Sequence, residues 1–210
     1  AMSEDRKIAF KKSNQQWITS EQSREDGQKY RAMSDLILTG SGTIMTDNPF
    51  LNVRNKEIIN LEGFSQPTKG LLSSSSIQSN LNFFSVEGKK LIFCNEADIH
   101  KNFEKDKDVS IIEIDNLENG RIDLGKLLEK ISSLNFNDVL LEAGPSLITS
   151  FINKDLIDEF IIYIAPKMLS NTALTFFNGD EAKSPFNSSQ FELIDEEKIK
   201  DDKKLIFQRI

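Results

Sequence analysis

Apolar residues along the chain fall into short runs, separated by polar stretches in which the spacing shifts to a helical period. Residues 35–39, 69–72, 91–94 and 109–114 are compact runs rich in Leu, Ile and Val, bounded by polar or turn residues. That is the pattern of strands buried on both faces. Residues 139–142 and the strongly apolar 160–165 extend the series. Between these runs the period changes. Thr19 and Gln22 have capping-box spacing and open a predicted helix that runs to about Met33. Asp123 is placed to cap a second helix through Leu134, with Leu124, Leu127, Leu128 and Ile131 on one face. A third starts at Gly144-Pro145-Ser146, where Pro is tolerated at the first helical position, and runs to about Asn153.

This alternation predicts an α/β domain with a mostly parallel sheet flanked by helices. Residues 191–193 and 205–208 read as closing strands of a late antiparallel portion, and the charged 195–204 stretch as the connection between them. Residues 40–47 read as a turn leading into a short helix, ended by Asn48-Pro49. Residues 55–66 and the serine run 73–76 read as loops. Residues 7–10 form the apparent first strand, so near the start that a longer natural chain is expected to have been cut there. Residues 1–210 read as a single domain.

Composition narrows the function. Fifteen Phe and 38% hydrophobic residues can build a sizeable core. The net charge of −7 makes nucleic acid and anionic membrane poor partners, so an anionic ligand must rest on a few local cations. The single cysteine, Cys94, allows neither an internal disulfide nor a multi-cysteine zinc site and suits a reducing, cytoplasmic setting. No run approaches the roughly 20 apolar residues of a membrane helix, and residues 1–12 are mixed and charged, unlike a signal peptide. No metal-ligand spacing occurs, and no metal is expected.

The candidate chemistry concentrates in residues 31–54 and 140–150. Gly40-Ser41-Gly42-Thr43 follows a strand, and a helix start after such a turn offers backbone N–H groups and a favourable dipole to a phosphate. Taken alone, an ordinary strand-to-helix turn is the simpler account, because the turn lacks both the dinucleotide fingerprint and the Walker lysine. Glu142 and Gly144-Pro145-Ser146 repeat the logic at a second strand end, where open α/β sheets bind ligands; a solvated Glu and a plain helix start explain them equally well. Arg31 and Arg54 are candidate anion clamps, since a guanidinium matches phosphate oxygens in a bidentate way; taken singly, Arg31 is more simply a last-turn residue complementing the helix dipole and Arg54 a loop surface charge. Asp47 could accept from a ribose hydroxyl or simply form a turn. Trp17 could stack on a ring or anchor a core. His100 has no partner pattern and receives no role. Residues 160–165 and Phe176-Phe177 suit either a dimer surface or monomer core.

Several ordered motifs together resemble one family. Ser3-Glu4-Asp5-Arg6-Lys7-Ile8-Ala9, Gln16-Trp17-Ile18-Thr19, Arg31-Ala32-x-Ser34-Asp35-x-Ile37-Leu38, Gly42-Thr43-x-x-x-Asp47-Asn48-Pro49-x-Leu51-x-x-Arg54, Glu142-Ala143-Gly144-Pro145-Ser146-Leu147 and Leu156-x-Asp158-Glu159-x-x-x-Tyr163-Ile164-Ala165-Pro166-Lys167 run almost end to end. They resemble the reductase domain of riboflavin biosynthesis, usually the C-terminal half of a bifunctional diaminohydroxyphosphoribosylaminopyrimidine deaminase / 5-amino-6-(5-phosphoribosylamino)uracil reductase. The resemblance implies a dihydrofolate-reductase-like fold and NADPH-dependent reduction of the phosphoribosylamino-uracil to its ribitylamino form. It places Ala1, Trp17, Thr43, Asp47, Ser74 and the stretch Gly144, Pro145, Ser146, Leu147, Ile148, Thr149 and Ser150 at NADPH. It places Gln15, Arg31, Leu51, Arg54 and Glu142 at the substrate, with Glu142 the nearest proton donor and water its rival. A homodimer is expected.

The chain departs from the pattern at Arg6, where Gly is usual, at Gln15, where Ser commonly contacts substrate, and at residues 73–76, which replace an Asp-Ser. A lysine the family often has just upstream of the first strand is missing. Rival readings are a pteridine reductase of the same fold, which would not need the Arg31 and Arg54 clamp, and an inactive fragment of the bifunctional enzyme.

Overall fold

The computed structural model describes residues 1–9, 17–115, 117–118, 121–169 and 173–210. In chain order the elements begin with β1 (Met2–Ser3), β2 (Lys7–Ala9), α1 (Glu21–Met33), β3 (Leu36–Gly40), α2 (Ser41–Asp47), α3 (Lys56–Ile59), β4 (Thr68–Leu72) and α4 (Asn82–Ser85). There follow β5 (Lys90–Cys94), a 3-10 turn (Ala97–Phe103), β6 (Val109–Glu113), a small ribbon of β7 (Leu117–Glu118) and β8 (Arg121–Ile122), α5 (Leu124–Ser133), β9 (Val139–Leu141) and α6 (Pro145–Asn153). The chain ends with β10 (Glu159–Ala165), β11 (Leu174–Thr175), β12 (Phe191–Ile199) and β13 (Asp202–Arg209). Two compact units result, one made of Ala1–Gly27 with Pro145–Ile210 and one of Gln28–Gly144.

The Gln28–Gly144 unit is built on a parallel sheet of order β6-β5-β4-β3-β9 among the described residues. Leu36, Ile37 and Leu38 of the inner strand β3 are fully buried, as the near-continuous apolar run requires. Its core gathers Ile37, Ile44, Leu51, Leu71, Phe83 and Ile92, each contributing roughly 2 kcal/mol by burial. Gly70 on β4 is closely packed: a Cβ there would meet Leu36 Cδ1, Leu38 Cδ1 and a Phe93 ring carbon, each at 3.2 Å, so those side chains would have to shift to admit it. Helix α5 follows its amphipathic pattern, with Leu124, Leu127 and Ile131 buried and the Asp123 side chain accepting from the Lys126 N–H.

The other unit holds a sheet of order β1-β10-β13-β12, in which β1 runs parallel to β10 and the rest is antiparallel. Phe176 and Phe177 are core residues of this unit, with Met2, Ile162 and Phe207.

Several local expectations shift. Helix α1 is capped by Ser20, one residue later than the proposed Thr19 cap: the Ser23 N–H donates to Ser20 Oγ at 3.3 Å. Asp202 holds this cap, accepting from the Ser20 N–H at 2.7 Å and the Ser23 hydroxyl at 2.6 Å. Burial opposes the Asp202 charge, but the hydrogen bonds from Ser23 and Ser20 outweigh it and lower its pKa. The charged 195–204 stretch is strand rather than connection: β12 and β13 pair from Phe191↔Arg209 to Ile199↔Asp202, and Lys200, at φ 57°, makes the turn. Residues 40–47 are helix from Ser41 onward, and the 55–66 loop contains α3, capped by Asn55. The first paired strand is Met2–Ser3; residues 7–9 pair instead with β11. Arg6 sits at φ 58°, which explains why glycine suits that position.

Candidate functional site

The ends of β3, β4 and β9 form one edge of the parallel sheet, the edge at which open α/β sheets bind ligands. Chain direction brings Ser41–Asp47, the serine run and Glu142–Gly144 to this edge. Within the Gln28–Gly144 unit the centre of the arrangement is a pair between Arg31, in the last turn of α1, and Glu142, just past β9. Arg31 donates from Nε to Glu142 Oε1 at 2.6 Å and from Nη2 to Oε2 at 2.7 Å, and its Nη1 donates to the Asn52 carbonyl at 3.0 Å. This is the fork-on-fork geometry of a strong charge-assisted pair. Burial opposes the Arg31 charge, but the Glu142 hydrogen bonds and Coulomb attraction dominate and raise the guanidinium pKa above its ordinary value.

Asn52 belongs to an irregular segment, residues 48–54, whose backbone groups are met by side chains from elsewhere. Asn48 accepts from the Asn82 N–H at 2.7 Å through its side chain and from Asn82 Nδ2 at 2.8 Å through its carbonyl. The Gln66 amide accepts from the Val53 N–H at 2.9 Å and donates to the Val53 carbonyl at 2.8 Å, as a paired strand would. Gln28 accepts the Arg54 N–H at 2.6 Å. The strapped segment leaves the Arg54 side chain exposed, with Nη1 3.2 Å from Asn52 Oδ1. Leu51, at φ 47°, turns its side chain into the core and is only 2% exposed.

The two glycine turns meet. Thr43, the third residue of α2, accepts the Gly144 N–H at 3.0 Å through Oγ1. Asp47 lies four residues further along the helix, on the same face as Thr43. Desolvation raises the Asp47 carboxyl above the usual aspartate range. Gly42 has open space where a Cβ would stand, so neither packing nor backbone conformation demands glycine there. Ser74 is exposed just past β4, while Ser73 is buried and hydrogen-bonded to the Ser75 backbone.

In the other unit, Trp17 is 51% exposed, with the Arg24 guanidinium 4.8 Å from its ring centre; it anchors no core. Pro145 opens α6 as expected. Ser146 is exposed, Ile148 packs against the core, the Thr149 hydroxyl accepts the Asn178 N–H at 3.0 Å, and the Ser150 hydroxyl donates to the Ser146 carbonyl at 2.9 Å. Leu147 is partly buried on the same helix, and Ala1 is exposed ahead of β1. Gln15 lies outside the described residues.

Gln28, Gln66, Asn52 and Asn82 were not anticipated. Only Gln28 left a signal, three residues before Arg31 on one helix face; the others sit in polar stretches without periodicity.

Residues 1–205 match the RibD C-terminal domain. The chain belongs to that family. The resemblance drawn from the motifs is thereby borne out. Among curated relatives of this RibD-type domain, the 5-amino-6-(5-phosphoribosylamino)uracil reductase of Buchnera aphidicola subsp. Acyrthosiphon pisum is 36% identical, the match covering 87% of this chain and 90% of that one. The riboflavin biosynthesis protein RibD of Buchnera aphidicola subsp. Baizongia pistaciae is 32% identical over the whole chain, which spans 58% of that protein's length. Among solved structures, Acinetobacter baumannii RibD superposes with a TM-score of 0.84 at 27% identity, all of this chain covering 56% of that one. The Saccharomyces riboflavin biosynthesis reductase Rib7 shares the fold, at a TM-score of 0.74 and 17% identity over all of this chain and 86% of that one. The expected α/β architecture, mostly parallel with an antiparallel C-terminal portion, is the one observed.

Proposed function

We propose that the chain reduces 5-amino-6-(5-phosphoribosylamino)uracil to 5-amino-6-(5-phosphoribitylamino)uracil with NADPH, a step of riboflavin biosynthesis. The observation that supports the reading is the 48–54 segment, whose backbone is held by Asn82, Gln66, Gln28 and Arg31 and whose Arg54 side chain stands exposed. An exposed guanidinium on a braced backbone suits a substrate phosphate, and in a chain of net charge −7 an anion must rest on such local cations.

In this reading Arg54 grips the phosphate. Arg31 has three donors engaged by Glu142 and Asn52, so it acts as a brace for the segment that carries Arg54. A substrate contact at Leu51 is made by its backbone, because the side chain is core. The residues present fit a nucleotide cofactor: Thr43 and Asp47 share a helix face and Gly144 lies against Thr43. Trp17, Ser74 and residues 145–150 join the proposal on the family resemblance. When bound, the cofactor supplies a hydride from nicotinamide C4 to C1′ of the opened ribose in its imine form. The chain's own part is orientation and electrostatics. Both Glu142 oxygens accept from Arg31, so solvent, rather than Glu142, delivers the proton to the imine nitrogen.

Steady-state NADPH oxidation tests the proposal. Turnover is expected with the phosphoribosylamino-uracil and none with dihydrofolate; the reverse preference would overturn it.

A further inference from the structure

Lys69 lies on β4, between β3 and β5, and is 2% exposed. A strand position covered on both sides ordinarily takes Val, Ile or Leu, and a buried charge is costly unless paired. Among the described residues no carboxylate lies within ion-pair distance of Lys69 Nζ. Its register neighbour on β5 is Lys90, equally buried. Burial, aided by Lys90, pushes Lys69 down to about 7. An amine near neutrality escapes much of the cost of a buried charge while keeping its N–H donors. Those donors go to two carbonyls outside the sheet, that of Phe83 in α4 and that of Phe50 at 3.4 Å.

Phe50 belongs to the 48–54 segment. Asn48 and Leu51 of that segment stand at φ 43° and 47°, conformations that cost of order 1 kcal/mol each and persist only where the surroundings fix them. A Met or Leu at position 69 would fill similar space more cheaply. Neither could hold the Phe50 carbonyl.

We infer that Lys69 is a positioning residue for anion binding: by holding the Phe50 carbonyl from the sheet, it keeps Leu51 to Arg54 in the geometry that presents Arg54 to the substrate phosphate. The inference rests on the reading that Arg54 meets that phosphate. Lys69 itself touches no substrate. It complements the Asn82 bonds to Asn48 and the Gln66 bonds to Val53, so each irregular turn of the segment has its own strap.

The test compares Lys69→Met, Lys69→Gln, Asn82→Ala and Arg54→Ala. It reads the Michaelis constants for the phosphoribosylamino-uracil and for NADPH, kcat, and amide hydrogen exchange over residues 50–54. Lys69→Met is expected to raise the substrate constant about tenfold, the loss of one hydrogen bond's worth of placement. The NADPH constant and kcat stay within about twofold, and exchange over 50–54 quickens. Lys69→Gln, which keeps an uncharged donor with shorter reach, falls between it and the parent. Asn82→Ala shows the same split by releasing the segment at Asn48. Unchanged exchange and substrate constant in folded Lys69→Met overturn the inference, as does a proportional loss in all three kinetic constants. Failure of both Lys69 variants to fold makes the lysine a general requirement of the core and overturns it too. An unchanged substrate constant in Arg54→Ala instead removes the phosphate reading, while the exchange data still report on the strap.

Discussion

Residues 48–54 and 195–204 both lack a clear helical or strand signal, yet they are held by opposite means. The 195–204 stretch is the turn end of the β12–β13 hairpin, with β12 at the sheet edge and most β12 side chains in solvent. Along β12 the backbone ladder carries the structure and the charges guard an open edge, while on β13 the buried Asp202 and Lys204 side chains add bonds of their own. The 48–54 segment has no ladder. Its backbone groups go to Asn82, Lys69, Arg31, Gln66 and Gln28. A ladder tolerates side-chain change; a strapped segment depends on residues remote in sequence. The geometry of this segment therefore comes from a handful of polar side chains that no periodicity reveals.

The sharpest way to break this contrast is Arg31→Ala. It strips two charge-assisted bonds from Glu142 and one from Asn52, and should cost about 3 kcal/mol in urea unfolding. A loss below about 0.5 kcal/mol would put the brace among ordinary surface pairs. Gln66→Ala removes two neutral hydrogen bonds from Val53 and should cost about 2 kcal/mol, measured the same way.

Lys69 sharpens the contrast through pH. Its folded value of about 7 lies below the ordinary lysine value near 10.4. Between those values the unfolded chain holds a proton that the folded chain lacks, so stability rises with pH, by up to about 1.4 kcal/mol per unit. Below pH 7 both states are protonated and this contribution is flat. Chemical denaturation from pH 7 to 10 should show the rise in the parent and lose that part of it in Lys69→Met; identical slopes would contradict the buried-amine assignment.

The smallest effect is expected on the ladder. Lys203→Ala removes the exposed pair with Glu196 and should change stability by less than about 0.5 kcal/mol. A larger loss would mean that side chains carry that region as well.

What the sequence revealed follows the same division. The strands of the parallel sheet and the amphipathic α5 were legible because burial writes a period into the chain. Strand β12 was not, since an exposed edge strand has no buried face to mark it. The motif residues Arg31, Arg54, Thr43 and Gly144 were legible by type and spacing. The mutual pairing of Arg31 and Glu142 was not, because it joins positions 111 residues apart. The inward turn of Leu51 was hidden too, because it depends on a positive φ at a non-glycine residue. Trp17 was read as either ring platform or core anchor, and only its exposure separates the two.

Arg54, on its strapped segment, is proposed to meet the substrate's phosphate. The most direct measurement is a two-by-two cycle of kcat/KM, with the parent chain and Arg54→Ala each assayed on the phosphoribosylamino-uracil and on its dephosphorylated form. Removing either partner alone should lower kcat/KM about 100-fold, as the loss of one charged contact of about 2.7 kcal/mol would. Removing both should cost little more than removing one. Losses that simply multiply would show that Arg54 and the phosphate do not meet.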